Sequence, residues 1–183
     1  MDGTPSTPAS ETTAALESTL GRLKSRFGEG AWTCTESPRD KERRIVVPSG
    51  QIQTYLEFLK TGCGFDMLVD LTCVDYLYYR GAKDRFGLVY NLLNTVSGER
   101  LIVRCFLNEP DITVPSAVPL WEGANWMERE VFDMFGIEFA GHPDMRRLLL
   151  PDEWTGHPLR KDYDILGMDN RWVQENLGIE SGQ

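Results

Sequence analysis

"FGLVYNLL", residues 86–93, has a large apolar side chain at every second position, which places Phe86, Leu88, Tyr90 and Leu92 on one face of a β-strand. The flanking segments repeat the pattern: "DMLVDLTCVDYLYY" through Met67, Val69, Leu71 and Cys73, and "RLIVRCFL" through Leu101, Val103, Cys105 and Leu107. Only short polar turns, "RGAKD" and "TVSGE", separate the three segments. Such spacing predicts an antiparallel meander over about residues 66–79, 84–94 and 99–107.

Helical periodicity surrounds the meander. Apolar residues at helical spacing (Leu16, Leu20, Leu23, Phe27) predict a helix over 12–27, and a second helix is expected over about 50–61. Two short strands, "AWTCTE" and "RRIVV", are expected between them, and "ANWMEREVFDMF" predicts a third helix that stops at Gly136. Because only one face of the strands is consistently apolar, we expect an α+β fold whose antiparallel sheet is covered by helices on one face.

The character of the chain changes after the third helix. Regular periodicity disappears, and Pro143, Pro151 and Pro158 interrupt any helix or central strand, so residues 137–170 should be mostly extended and irregular. The predicted organisation is a disordered leader (1–11), an α+β domain (12–136) and a long extended C-terminal arm (137–183) that docks on partner subunits.

Composition narrows the classes of function. The 183 residues carry a net charge of −9 and no basic stripe, which argues against nucleic-acid binding. No apolar run reaches the ~18 residues of a membrane span, and no stretch resembles a signal peptide. The four cysteines are irregularly spaced, without a Cys-x-x-Cys pair. We therefore expect neither a metal nor a redox cofactor in this chain.

"EREVFDMFGIEFAGHPDMRRLLLPDEWTGHPLRKDY", residues 128–163, contains both histidines and is the candidate site. As chemistry, His142 and His157 could act as bases and residues 128–133 could supply a carboxylate cluster. However, Arg129 stands four residues before Asp133, which predicts an ion-pair network. Both histidines also precede prolines in irregular chain, where rigid metal ligands are not expected. No catalytic residues are therefore expected, although a stand-alone metal-dependent enzyme remains an alternative.

As a surface, the same stretch alternates paired charges with apolar side chains. Arg146-Arg147, Asp152-Glu153 and Arg160-Lys161-Asp162 surround residues 148–150 and Trp154. Left in water, each such apolar side chain forgoes roughly 1.5–3 kcal/mol of burial. The arm should therefore lie against a partner or against its own sheet, and the charged pairs favour a partner.

The motifs of this stretch closely resemble the signature of the 30 kDa subunit family, the C subunit of respiratory complex I, the proton-translocating NADH:quinone oxidoreductase. The matching motifs are "ERE" (128–130), "DMFG" (133–136), "GHPD" (141–144), "RR" (146–147) and "GHPLRKDY" (156–163), with "ANWMERE" and "LTCVDY" before them. The resemblance covers about residues 50–165.

This resemblance implies a non-redox structural and assembly subunit of the peripheral arm that braces the quinone-reducing module and contacts chiefly the large D subunit of that module. FMN, iron–sulfur clusters and quinone would then be bound by neighbouring subunits. It also implies a peripheral protein at the cytoplasmic face of the prokaryotic inner membrane, associated with the membrane only through the complex. The predicted interface comprises Glu128, Arg129, Glu130, Asp133, Gly136, His142, Pro143, Arg146, Arg147, Trp154, His157, Pro158, Arg160, Lys161, Asp162 and Tyr163. Homologous subunits of membrane-bound hydrogenases and of ferredoxin- or F420-linked complexes leave the electron donor open.

Overall fold

A computed structural model describes residues 19–36, 42–164, 175–176 and 178. The predicted leader, residues 1–11, and most of the chain after residue 164 lie outside these ranges. The chain divides into two compact units, residues 1–70 with 89–105 and residues 71–88 with 106–183. No helix within the described ranges combines the length and the hydropathy needed to cross a membrane.

A five-stranded, mostly antiparallel sheet confirms the α+β prediction. Its strands are β1 (Thr33–Glu36), β2 (Arg43–Val46), β3 (Met67–Asp75), β4 (Phe86–Leu93) and β5 (Arg100–Leu107), in the order β1-β2-β5-β4-β3. All three strands of the predicted meander are therefore present. The two short strands enter through a parallel pair in which Ile45 lies opposite Val103. A parallel pair requires a long crossover, which the chain between β2 and β5 supplies.

Among its described residues, the first unit contains two α-helices and one short 3₁₀ helix, Ser49–Gln51. Residues 19–27 are helical (α1), and α2 (Ile52–Cys63) ends at Gly64, whose φ of 82° is left-handed. The ring of Phe27 stacks on Tyr55 at 3.9 Å, and Arg22 donates to the Gly62 carbonyl, so the two helices pack together. Leu16 of the predicted first helix lies outside the described residues.

The predicted inward face of β3 is wrong at its start. Met67 and Val69 are 47% and 46% exposed, while Leu68 is buried. Val69 and Asp70 are consecutive exposed residues, so the alternation shifts by one position before Leu71. The last strand of a sheet tolerates such a shift, because one side of its backbone is not committed to a neighbour in that sheet. In β4 and β5 the predicted faces are buried throughout.

Among its described residues, the second unit contains a small parallel strand pair and one twelve-residue helix, and residues 175–176 are helical as well. Strands β6 (Thr113–Pro115) and β7 (Glu138–Ala140) pair in parallel, with Val114 opposite Phe139. Between them runs α3 (Ala124–Phe135), which ends at Gly136 as the sequence predicted. Neither β6 nor β7 was predicted. Residues 141–164, by contrast, contain neither helix nor strand, in agreement with the proline interruptions.

Candidate functional site

Asp133, on the last turn of α3, binds the segment that follows strand β7. We call this segment, residues 141–163, the C-terminal segment. Its side chain is fully buried. One carboxylate oxygen accepts the backbone N–H groups of residues 148–150 at 2.8–3.0 Å, and the other accepts Arg147 Nη1 at 2.6 Å. Burial alone would raise the pKa of Asp133, but these donors outweigh burial and leave the pKa below its ordinary value. The buried group is therefore a carboxylate that four donors stabilise.

The same segment caps the C-terminal end of α3. A helix leaves its last carbonyls without intrahelical partners and concentrates partial negative charge there. Here His157 Nδ1 lies 3.0 Å from the Asp133 carbonyl oxygen. The Leu159 N–H donates to the Met134 carbonyl, and Arg160 Nε donates to the Phe135 carbonyl at 2.6 Å. Two polar side chains and one backbone N–H thus replace water at the helix end.

Gly136 permits this close approach for two reasons. Its φ is 76°, in the left-handed region that L side chains rarely adopt. A Cβ at this position would also lie 2.6 Å from His157 Nε2 and 2.7 Å from Arg160 Nη2. The glycine that ends α3 therefore also makes room for the capping segment.

Three arginines of the segment differ in their environment: Arg147 and Arg160 bind groups of the chain and Arg146 is mostly exposed. Arg147 reaches the carbonyls of Trp154 and Gly156 in addition to Asp133, and Arg160 reaches Glu109 at 3.1 Å. Both cations thus find acceptors within the chain, and the expected contact of the charged pairs with a partner stays a prediction. Arg146 is different, because its side chain is 69% exposed and pairs with Asp144, two residues away.

A second charged cluster holds the end of the segment. The Arg85 guanidinium contacts Glu109 and Asp162, each at 2.6 Å, and Asp75 at 3.5 Å. The side chain of Asp75 is fully buried and also accepts the Lys161 N–H at 2.9 Å. The hydrogen bond from Arg85 is the main cause that lowers the pKa of Asp162. The segment is therefore held at residues 147–150 by Asp133 and at residues 161–162 by this cluster.

The two histidines are connectors rather than members of a common site. His157 must donate through Nδ1, since its partner is a carbonyl, and burial together with nearby Arg160 and Arg147 lowers the pKa of His157. His142 receives the Asp144 N–H on Nδ1, which leaves Nε2 as the donor to the Asn125 carbonyl at 3.2 Å. Each ring is thus engaged with backbone groups of its own surroundings.

The three carboxylates of α3 are not brought together. Glu128 is fully buried and accepts Ser116 Oγ at 2.7 Å and the Ala117 N–H at 2.6 Å. Burial raises the pKa of Glu128 to about 7, against the opposing effect of these two hydrogen bonds. Glu130 is exposed and Asp133 is saturated by its own donors. The three carboxylates therefore differ in burial and in hydrogen-bond partners.

The predicted contact between Arg129 and Asp133 is also wrong. Arg129 donates instead to the carbonyls of Arg146 and Arg147, at 3.1 and 3.0 Å, and lies over the ring of Trp126 at 5.0 Å. Asp133 takes its cation from Arg147, fourteen residues later in the chain. Within the described ranges, no group of three or more His, Cys, Asp and Glu residues is arranged to hold a metal ion.

Several apolar side chains of this region remain outside the packing. Leu149 is 64% exposed, Leu159 51% and Trp126 61%, whereas Leu148, Leu150 and Trp154 are half-buried. Trp126 was not among the predicted interface residues, and neither were Asp75, Arg85 and Glu109. A partial signal for two of them was present in the sequence, because Trp126 and Asp75 belong to the family-like motifs "ANWMERE" and "LTCVDY".

Fold and site together define a class: a small α+β protein whose buried charges hold its C-terminal segment on its own helix while other side chains of that segment face outward. Comparison with known proteins narrows this class. The family model described as respiratory-chain NADH dehydrogenase, 30 kDa subunit, matches residues 45–169. The chain belongs to this family.

Relatives and solved structures agree with the assignment. The C subunit of the NADH-quinone oxidoreductase of Citrifermentans bemidjiense is 41% identical over 148 residues, 81% of this chain and 89% of that protein. The protein of the same name from Trichlorobacter lovleyi is 48% identical over 123 residues, 67% of this chain and 75% of that protein. A trypsin-resistant fragment (1–134) of Nqo5 is 32% identical, with a TM-score of 0.63, and the match covers 71% of this chain and 98% of the fragment.

A more distant structure shares the fold alone. A chain of an archaeal respiratory membrane complex, the membrane-bound sulfane sulfur reductase, superposes with a TM-score of 0.69 at 23% identity. The match covers 89% of this chain and 91% of that chain.

Proposed function

We propose that this chain is a non-redox structural and assembly subunit of a proton-translocating NADH:quinone oxidoreductase, complex I. Membership of the 30 kDa subunit family supports the assignment to the complex, as do relatives at 41% and 48% identity that are named as the C subunit of NADH-quinone oxidoreductase. The finer role, bracing the quinone-reducing module from the peripheral arm, rests on the geometry of residues 141–163.

One observation carries this role: the segment is fixed within the chain yet leaves its outward side chains unused. Asp133 holds residues 147–150 and the cluster around Arg85 holds residues 161–162, while Leu149, Leu159 and Arg146 stay largely exposed. A segment that is already ordered does not lose that freedom again on binding, so more of its contact energy appears as affinity. The arrangement suits a surface that another protein recognises.

The proposed partner is chiefly the large D subunit of the quinone module. FMN, iron–sulfur clusters and quinone would be bound by neighbouring subunits. The chain would then reach the cytoplasmic face of the inner membrane only as a peripheral part of the complex. In favour of a non-catalytic role, the donor atoms of the candidate site are already engaged in holding the segment, with the rings of His142 and His157 bonded to backbone groups.

A matched pair of substitutions tests the docking role. Leu149→Asp places a charge on an exposed side chain of the segment, and Val96→Asp does the same at a 95% exposed position of the β4–β5 turn. Each variant replaces the native copy in cells, and the assembled complex is quantified after gentle extraction of membranes. We expect Leu149→Asp to reduce assembly and Val96→Asp to leave it unchanged. Equal yields for both would contradict the proposal.

A second candidate is the homologous subunit of another respiratory complex, such as a membrane-bound hydrogenase or a ferredoxin- or F420-linked enzyme. Its support is the fold shared with a chain of the sulfane sulfur reductase complex. Mass spectrometry of the co-purifying subunits decides between the two complexes, since a hydrogenase large subunit in place of quinone-reductase subunits selects the second.

The stand-alone metal-dependent enzyme has less support. It needs His142, His157 and the acidic residues of α3 around one ion, whereas the histidines, Glu128 and Asp133 are engaged with separate partners, and no metal-holding group of three or more His, Cys, Asp and Glu is found among the described residues. Stoichiometric zinc or iron in the purified chain, lost on substitution of His142, would revive it.

A further inference from the structure

The loop between β3 and β4, residues 76–85, carries two large aromatic side chains that are mostly exposed. Tyr78 is 76% exposed and Tyr79 70% exposed. Two cations, Arg80 and Lys83, are exposed beside them and form no ion pair with any residue that the structure describes. We call residues 76–85 the tyrosine loop.

The tyrosine loop is internally ordered. At the base of the loop, the Tyr76 N–H donates to the Arg85 carbonyl at 2.7 Å. Within the loop, the Tyr79 N–H donates to the Tyr76 carbonyl and closes a turn. The rings of Tyr76 and Tyr79 meet edge to face at 5.8 Å, and Gly81 supplies a left-handed residue at φ 86°. Rigid presentation of aromatic rings is typical of recognition loops, because little entropy is lost when they bind.

The tyrosine loop and the C-terminal segment bind the same charged cluster, Asp75 and Arg85. Asp75 accepts the Leu77 N–H of the loop through Oδ1 and the Lys161 N–H of the segment through Oδ2, each at 2.9 Å. Arg85, at the other end of the loop, binds Asp162 at 2.6 Å. Asp75 therefore bonds to both elements, so the start of the loop and the end of the segment lie next to each other.

The charge of the chain selects the kind of partner. A chain of net charge −9 is repelled by nucleic acid and by anionic lipid, so two local cations do not make it a binder of either. Tyrosine is favoured at protein–protein interfaces because it offers a large apolar ring and one hydroxyl. The chemistry fits a protein face with apolar pockets for the rings and carboxylate or carbonyl acceptors for the cations.

We propose that the tyrosine loop is a second docking element, contiguous with the C-terminal segment, which seats Tyr78 and Tyr79 on a neighbouring protein subunit of the same complex. This inference rests on the proposed function and adds to it a surface outside the signature residues predicted for the interface. Truncating an aromatic anchor should weaken association about tenfold or more.

Photo-crosslinking in the assembled complex tests the loop directly. Three full-length variants carry p-benzoylphenylalanine, one each in place of Tyr79, Leu149 and Val96. The membranes are irradiated, and the crosslinked subunits are identified by mass spectrometry. The double variant Tyr78→Ala/Tyr79→Ala is compared with Val96→Ala for yield of assembled complex, and thermal melting of the purified chains checks folding.

We expect the probe at Tyr79 to crosslink to a subunit of the complex, the probe at Val96 to stay silent, and the double variant to lose about tenfold in assembly at an unchanged melting temperature. If the double variant fails to fold, the crosslinking result decides, because that probe keeps an aromatic ring.

A silent Tyr79 beside a reactive Leu149 overturns the loop inference and leaves the proposed function standing. A silent Leu149 beside a reactive Tyr79 contradicts the docking role of the segment alone. Crosslinks from Tyr79 to a second copy of this chain, to nucleic acid or to lipid overturn the inference, and silence at both positions contradicts both proposals.

Discussion

Replacing Asp133 by Asn should release the C-terminal segment from α3 while leaving the rest of the chain folded. The carboxylate accepts four hydrogen bonds in a fully buried position, one of them from Arg147. An amide keeps one acceptor oxygen but turns an NH₂ group toward donors, either Arg147 or the N–H groups of residues 148–150. Removing one partner of a buried ion pair costs about 3–5 kcal/mol, because the other charge is left without compensation.

Native-state hydrogen exchange measures this cost where it occurs. With a loss of about 3 kcal/mol, the amides of residues 148–150 should exchange roughly a hundredfold faster, since each 1.4 kcal/mol corresponds to a factor of ten. Amides of β4 should be unaffected, because the change is local. Glu130→Gln is the matched control, an exposed carboxylate on the same helix with no hydrogen bond among the described residues.

The pH dependence of the same amides provides an independent check. The pKa of Asp133 is lowered in the folded chain, so its stabilising effect is fully present above the unfolded value near 3.8 and is lost as the pH falls through the folded pKa. Protection of residues 148–150 should therefore persist from neutral pH to about pH 4. If Asp133→Asn leaves this protection and the yield of assembled complex unchanged, Asp133 does not hold the segment and the reasoning fails.

Three further predictions concern neighbouring groups. Gly136→Ala should destabilise the chain by about 3 kcal/mol or more in chemical denaturation, against about 1 kcal/mol for Gly141→Ala, because both glycines have positive φ but only Gly136 also lacks space; equal costs would refute the close packing. Glu128 has a folded pKa of about 7 against 4.5, so wild-type stability should fall by up to about 3 kcal/mol as the pH rises from 4.5 to 7, whereas Glu128→Gln should lack this slope in urea titrations; parallel pH profiles would exclude it. His157→Gln and His142→Gln should lower respiratory activity only in proportion to assembly, and a hundredfold loss of turnover per assembled complex would make the segment catalytic.

The sequence predicted local structure well because the signals for it are local. Alternation at every second residue identified β3, β4 and β5, and the glycine at position 136 marked the end of α3. The parallel pair of β2 with β5 was out of reach, since its partners are more than fifty residues apart and no local pattern encodes their register. The shift within β3 was missed for a related reason. Val69 and Asp70 fit the alternation in the sequence, but β3 is the last strand of the sheet, where both side chains can be exposed.

The hydrogen-bond partners of Asp133 could not be predicted from the sequence motifs. Spacing along a helix suggested Arg129 as the partner of Asp133, but a carboxylate that is fully buried takes the donors that the tertiary fold brings to it. Those donors come from residues 147–150, and they arrive together because three successive N–H groups and one guanidinium converge on a single side chain. No periodicity in the sequence encodes such a convergence.

Burial also divides the charged residues of the signature into two groups with different physical roles. Arg147 and Arg160 lie against carbonyls and carboxylates of their own chain, and reversing either charge should damage folding of the segment before any partner is met. Arg146 is 69% exposed and contributes little to that fold, so Arg146→Glu should leave the hydrogen exchange of residues 148–150 intact and affect only association. The contrast between Arg146→Glu and Arg147→Glu therefore separates recognition from folding within two adjacent residues. A loss of protection in Arg146→Glu equal to that in Arg147→Glu would show that burial is not what distinguishes them.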